Sequence, residues 1–227
     1  MSAVVAALIL GMSVLGTSGA ATQPEPRFLA LGDSYTIGEG VAVDGRWPEQ
    51  LGARLRQAGI GIGAPEIVAR TGWTTDELSA AMDAHTFHPP YALVTLLIGV
   101  NNQYRGRDLD NYRQEFRALL ERAIALAGAN PAHVVVVSIP DWGVTRFGHG
   151  SGRDLARIAS ELDAYNAANA QIATMLHVGY ADVTAASRAG GEHADMLVGD
   201  GLHPSAAMYA RWVETILPAA RKALAAP

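Results

Sequence analysis

No cysteine occurs anywhere in the chain. That excludes a disulfide framework, a thiolate nucleophile and a thiolate metal site, and it leaves the redox compartment open. Concentrated charge is also missing: 17 Lys and Arg against 22 Asp and Glu give a formal net charge of -5, with no basic stripe. Nucleic acid is therefore not the expected partner. Gly38-Glu39-Gly40 does not extend into a Gly-x-Gly-x-x-Gly turn, and a phosphate-loop lysine is absent, so no nucleotide cofactor is indicated. His85 and His88 have a spacing that can ligate metal, but no Cys, further His or acidic cluster joins them. His149 and His193 lie in polar loops, and neither a metal nor a cofactor is expected.

Long hydrophobic runs are rare. Ala3 to Leu15 is almost wholly apolar, yet its length of about thirteen residues falls short of the roughly 20 that span a bilayer. Small residues follow from Gly16 to Ala21, and then the Pro-containing stretch Thr22 to Pro26. This is the pattern of a secretory signal over residues 1–21, cleaved near Ala20 or Ala21, although no Lys or Arg precedes the apolar run. On that reading the mature protein is exported, periplasmic or extracellular, without stable membrane insertion, and residues 22–26 are a short lead-in. The remainder, 27–227, reads as one globular domain: the chain is 49% hydrophobic and 17% charged, with no internal repeat and no interdomain linker.

Within that domain, strand-like and helix-like segments alternate. Apolar runs at Arg27–Gly32, Glu66–Ala69, Tyr91–Ile98, Val134–Ile139 and Gly179–Val183 read as strands, and the third is apolar on both faces, as a central parallel strand should be. Helical spacing marks Trp47–Ala58, Asp110–Ala127, Asp154–Leu176 and Ala206–Ala225. Thr74-Thr75-Asp76-Glu77 reads as the capped start of a helix ending near His85. Trp47 and Trp212 fall on helix faces and are expected in the core. Arg146 to Gly152, rich in Gly, His and Arg, is the expected mobile flap. The fold class is α/β: a three-layer α/β/α sandwich of flavodoxin type on a five-stranded parallel sheet.

Conspicuous polar residues follow these strands directly. Ser34 follows the first, Gly72 the second, Asn101 the third and Trp142 the fourth, while Asp200 and His203 precede the last helix. In a parallel sheet such positions share one edge. A serine hydroxyl needs a base, which His203 can be, and Asp200 can accept from its Nδ1 and fix the tautomer. The Ser34 and Gly72 N–H groups and the Asn101 amide could meet the charge growing on a carbonyl oxygen. An α/β-hydrolase elbow does not fit, because Tyr35 and Thr36, rather than x-Gly, follow Ser34. Trp73, Tyr104 and Trp142, each after a strand, are candidates for lining the cleft, with Asn102 beside Asn101.

Gly32-Asp33-Ser34-Tyr35, Gly72, Gly99-Val100-Asn101-Asn102 and Asp200-Gly201-Leu202-His203-Pro204 resemble the four signature blocks of the SGNH hydrolases, also called the GDSL esterase/lipase family. The resemblance covers nearly the whole chain from Arg27 onward. It implies a serine esterase without metal or cofactor, with Ser34 as nucleophile, Ser34, Gly72 and Asn101 as the oxyanion hole, and His203 and Asp200 as base and orienter. Tyr35 stands where the family name has leucine, and Asn102 where an Asp often follows. Asn101, Asn102, Gln103 and Arg105 suggest a polar rim, and no long apolar lid is visible, which favours short acyl esters of sugars or small alcohols. Lysophospholipase or thioesterase action, acyl transfer on the same triad, or a non-catalytic carbohydrate-binding role are the alternatives.

Overall fold

The computed structural model describes residues 25–226, so the expected export signal at residues 1–21 lies outside the described residues. Five strands form one parallel sheet in the order β2-β1-β3-β4-β5: β1 Phe28–Gly32, β2 Pro65–Ala69, β3 Leu93–Leu97, β4 Val134–Val137 and β5 Gly179–Ala181. The helices are α1 Ser34–Ile37, α2 Trp47–Gln57, α3 Thr75–Ala84, α4 Val100–Tyr104, α5 Leu109–Leu126, α6 Arg146–Gly150, α7 Leu155–Met175, α8 Thr184–Gly190 and α9 Ala206–Leu224. The chain runs outward from β1 to β2 and then returns past β1 to β3, β4 and β5. Right-handed crossovers in these opposite directions place their helices on opposite faces. Accordingly α2 packs with α9 on one face, while α5 packs with α3 and α7 on the other.

Burial follows from this layering. Every residue of β1, β3 and β4 is buried, as expected for parallel strands covered on both faces. Trp47 and Trp212 are fully buried where α2 meets α9. Each fully buried leucine or phenylalanine in this core contributes roughly 1.5–3 kcal/mol through burial. No helix among the described residues is long and apolar enough to cross a membrane.

Register sets the position of the reactive edge. Gly32 pairs with both Ala69 and Leu97, so β1, β2 and β3 end at one level. Ser34, Gly72 and Asn101 follow within a few residues of that level. Because β2 and β3 lie on either side of β1, the sheet changes direction there, and the crevice beyond the carboxyl ends of β1 and β3 is the topological switch point. Gly32 is required by close approach: a Cβ there would sit 2.4 Å from the Leu97 carbonyl oxygen and 2.2 Å from Thr36 Oγ1.

Candidate active site

Ser34 is the first residue of α1, separated from the buried strand β1 by Asp33 alone. Asp33 caps the helix, its Oδ1 accepting the Tyr35 N–H at 3.0 Å. Its Oδ2 is buried without a partner among the described residues, and burial pushes the Asp33 carboxyl up to about 7 despite the Tyr35 N–H. The Tyr35 carbonyl accepts from Trp47 Nε1 at 3.1 Å, which ties the α1 turn to α2. The Tyr35 ring lies 5.6 Å from His203 and 6.0 Å from Trp212, so it forms a wall between the candidate base and the core. Burial, and then the negative charges of Asp33, Asp141 and Asp200, hold its hydroxyl far above the ordinary tyrosine value, and it stays neutral.

The turn before α9 carries the imidazole. Asp200 Oδ1 accepts the N–H groups of Leu202 at 2.8 Å and His203 at 3.0 Å, closing a tight turn. Asp200 Oδ2 lies 2.6 Å from His203 Nδ1. Burial pushes the Asp200 carboxyl up, but the His203 ring bond, the two N–H bonds and the attraction of His203 outweigh it and hold the group below its ordinary value. An ionised carboxylate only accepts, so the proton sits on Nδ1 and Nε2 is left as the basic nitrogen. Ser34 and His203 line the same cavity. The serine hydroxyl makes no hydrogen bond among the described residues, so no bond joins the two in this state. Such bonds commonly tighten only once substrate is bound.

Two donors face that cavity from the next strands. Arg70 to Trp73 form a turn closed by the Trp73 N–H on the Arg70 carbonyl at 3.2 Å, with Gly72 at φ 87° in the third position. That is the type II geometry, which demands a positive φ there and turns the Gly72 N–H out of the turn's own bonding. Asn101 Nδ2 donates to the Trp73 carbonyl at 2.9 Å, which orients the amide and leaves its second N–H available. Arg105 Nη2 donates to the Gly72 carbonyl at 2.7 Å, so the loop is held from both α4 and the residue after it. Arg105 also pairs with Glu77, whose carboxylate takes part in the α3 capping box.

The cavity has a volume of about 240 Å³, and Ser34, Gly72, Asn101 and His203 all line it. Most of its wall is apolar: Tyr35, Val100, Tyr104, Trp142, Phe147 and Leu202. Tyr104 and Trp142 line the cavity, while Trp73 does not; it is half-buried against the core and offers its carbonyl to Asn101. Asn102 is a correction. It is fully buried, accepts the Thr75 N–H at 3.1 Å and donates to Thr75 Oγ1 at 2.6 Å, so it secures the start of α3 rather than touching a ligand. Gln103 is buried too, accepting from Trp142 Nε1 at 2.8 Å, so of the three amides expected to form a polar rim Asn101 lines the cavity and the other two do not.

The expected flap is also different. Arg146–Gly150 is the short helix α6, capped by Thr145 Oγ1 on the Gly148 N–H at 3.1 Å. The Phe147 N–H donates to the Gly201 carbonyl at 3.0 Å, so this segment is bonded to the turn that carries His203. Gly148 permits the approach, since a Cβ there would lie 2.5 Å from the Trp142 and Gly143 carbonyl oxygens. Phe147 is a wall residue with no motif or spacing to mark it, whereas Leu202 lies within the block that carries Asp200 and His203, where nothing assigned it a role at the wall. As for metals, His85 pairs with Glu66 at 2.6 Å, and no group of three His, Asp or Glu among the described residues is placed to hold one.

Solved structures share this architecture. The structure of TesA superposes with a TM-score of 0.69 at 21% identity, covering 87% of this chain and 99% of its own. A variant of an acetyl xylan esterase from Geobacillus stearothermophilus gives a TM-score of 0.63 at 19% identity, covering 87% of this chain and 94% of its own. The psychrotrophic esterase EstA from Pseudoalteromonas sp. gives 0.61 at 15% identity, covering 87% of this chain and 98% of its own. No curated protein matches the sequence. The model of the GDSL-like lipase/acylhydrolase family matches residues 30–211, from inside β1 into α9, and the chain belongs to that family.

Proposed function

We propose that the protein is a serine esterase that hydrolyses short-chain acyl esters through an acyl-enzyme. Ser34 attacks the carbonyl carbon as His203 Nε2 takes its proton. The oxyanion is met by the Ser34 and Gly72 N–H groups and the free N–H of Asn101, and His203 then protonates the departing alkoxide. Water repeats the attack with His203 again as base, which releases the acid and restores Ser34. One observation carries the reading: Ser34, Gly72, Asn101 and His203 line a single cavity, and the Asp200 carboxylate is bonded to the far nitrogen of that imidazole.

Short acyl groups are favoured by space. A cavity of about 240 Å³ is smaller than the roughly 300–1,000 Å³ that takes drug-sized ligands, and its wall suits an alkyl chain of a few carbons. The acetyl xylan esterase and the esterase among the structural neighbours are consistent with ester substrates. Hydrolysis of acetyl, butyryl and palmitoyl esters by wild type and by Ser34→Ala tests both claims. The expected result is turnover of the two short esters that falls by several orders of magnitude in the variant. A folded Ser34→Ala protein that keeps its rate would refute the mechanism, and a palmitoyl preference would refute the chain-length claim. Residues 1–21 are proposed as an export signal, tested by N-terminal sequencing of the secreted protein; an intact Met1 would refute it.

A further inference from the structure

Beside the catalytic cavity lies a larger one, of about 430 Å³, between α4 and the start of α7. Tyr104 lines both. Three guanidiniums, those of Arg105, Arg153 and Arg157, border it together with the carboxylates of Asp154 and Glu161. Most of these charges are already engaged. Arg157 pairs with Glu161 at 2.7 Å, and the other Glu161 oxygen takes Gln103 Nε2 at 2.8 Å. Arg105 is held by Glu77 and by the Gly72 carbonyl. Asp154 caps α7, accepting the N–H groups of Ala156 and Arg157.

Arg153 is different. Among the described residues it has no carboxylate within ion-pairing distance. Its guanidinium lies 4.2 Å from the centre of the Tyr104 ring and 5.6 Å from Trp142, and Nη1 donates to the Tyr104 carbonyl at 3.0 Å. Tyr104 and Trp142 in turn pack at 5.4 Å. The two ring contacts and the bond to the Tyr104 carbonyl restrain an otherwise exposed guanidinium, and its remaining N–H groups can donate to a carboxylate or phosphate. Such a group would sit one aromatic ring away from the cavity that holds Ser34.

We propose that this cavity binds a negatively charged group, carboxylate or phosphate, that the ester substrate carries away from the bond to be cut. The inference rests on the esterase reading above and adds a substrate class to it. Arg153 is the specificity-determining contact, and the Tyr104 ring is the partition between the two sites.

The test compares three esters of similar size: a butyryl ester of a neutral alcohol, a hemisuccinyl ester of the same alcohol, and a butyryl ester of glycerol phosphate. The first is uncharged, the second carries charge on the acyl side and the third on the alcohol side. One charged ester should exceed the neutral one about five- to tenfold in kcat/KM, mainly through KM. That ratio should collapse in Arg153→Gln, survive in part in Arg153→Lys, and shrink as salt rises from about 50 to 500 mM. Whichever charged ester gains identifies the side of the substrate that reaches Arg153. No advantage for either charged ester, or an advantage that Arg153→Gln leaves intact, would overturn the subsite; a merely structural role for Arg153 would lower all three rates and leave the ratio in place. Calorimetric binding of the same esters to the Ser34→Ala protein separates the two readings. Arg153-dependent anion binding without cleavage by wild type would sink only the esterase reading, whereas binding that ignores charge would sink the subsite.

Discussion

Asp33 is the sharpest test of how the turn before Ser34 is built. Its carboxyl is fully buried, one oxygen has no partner among the described residues, and burial pushes it up to about 7. In the unfolded chain it ionises near 3.8. The folded state therefore holds a proton that the unfolded state has released, so this group's stability is fully present below about pH 4, falls as pH rises toward 7, and is flat above. A shift from 3.8 to about 7 corresponds at most to on the order of 4 kcal/mol. Roughly a third is already lost at pH 5, which leaves on the order of 2–3 kcal/mol to disappear between pH 5 and 8. Asp33→Asn keeps the oxygen that accepts the Tyr35 N–H and cannot ionise. Urea unfolding of both proteins at pH 5, 6, 7 and 8 should show the variant gaining on wild type by that amount. The carboxyls held low, those of Asp76, Glu77, Glu161 and Asp200, act in the opposite sense: their stability is present above the ordinary carboxyl range and is lost only as pH falls below it, outside this window. Histidines are common to both proteins and cancel in the difference. Parallel stability curves for the two proteins would refute the buried, protonated Asp33.

Three further substitutions separate positioning from chemistry. Asn101→Ala should lower kcat about 100- to 1,000-fold with a small change in KM, measured by steady-state hydrolysis of a short ester; an unchanged kcat would remove Asn101 from the oxyanion hole. Asn102→Ala leaves the Thr75 N–H unpaired in a buried position and should cost about 1–3 kcal/mol in urea unfolding, while lowering kcat far less than Asn101→Ala. Arg105→Ala removes the donor on the Gly72 carbonyl and should lower kcat about fivefold, an effect near 1 kcal/mol, with little change in the unfolding midpoint because its Glu77 pair is exposed and long at 3.4 Å. Equal losses of rate and stability would mean that Arg105 only braces the surface.

Much of the frame was legible because its signals are local. The apolar run Phe28–Gly32 must be a strand covered on both faces, and Thr74 with Glu77 forms the capping box that begins α3 at Thr75. The convergence of Ser34, Gly72, Asn101 and His203 was legible for a different reason: strand-end positions in a parallel sheet meet at one edge wherever they fall in the chain. The wall was not. Phe147 reaches the cavity because Thr145 caps a turn of helix and the Phe147 N–H finds the Gly201 carbonyl, a pairing between residues distant in the chain that no periodicity records. A stretch of glycines, histidine and arginine reads as loop by composition, and Gly148 instead serves a close contact with the Trp142 carbonyl.

Asn101 and Asn102 show where reading by adjacency fails. Both follow β3 and both are amides, so each looked fit for the rim. They lie on α4, however, where successive residues project about 100° apart. When one amide is aimed at the cavity over Ser34, the next must point elsewhere, and α3 is there to receive it. Asn102 satisfies an N–H at the start of α3 that would otherwise be an orphan of the helix terminus, while Asn101 grips the Trp73 carbonyl just before that terminus. The pair is therefore one clamp on the segment from Gly72 to Thr75, and Arg105, a turn further along, adds a third hold on its first carbonyl. An oxyanion donor is effective only if it does not move when charge develops, so in the proposed mechanism Asn102 and Arg105, outside the cavity, would set how well Gly72 and Asn101 can serve.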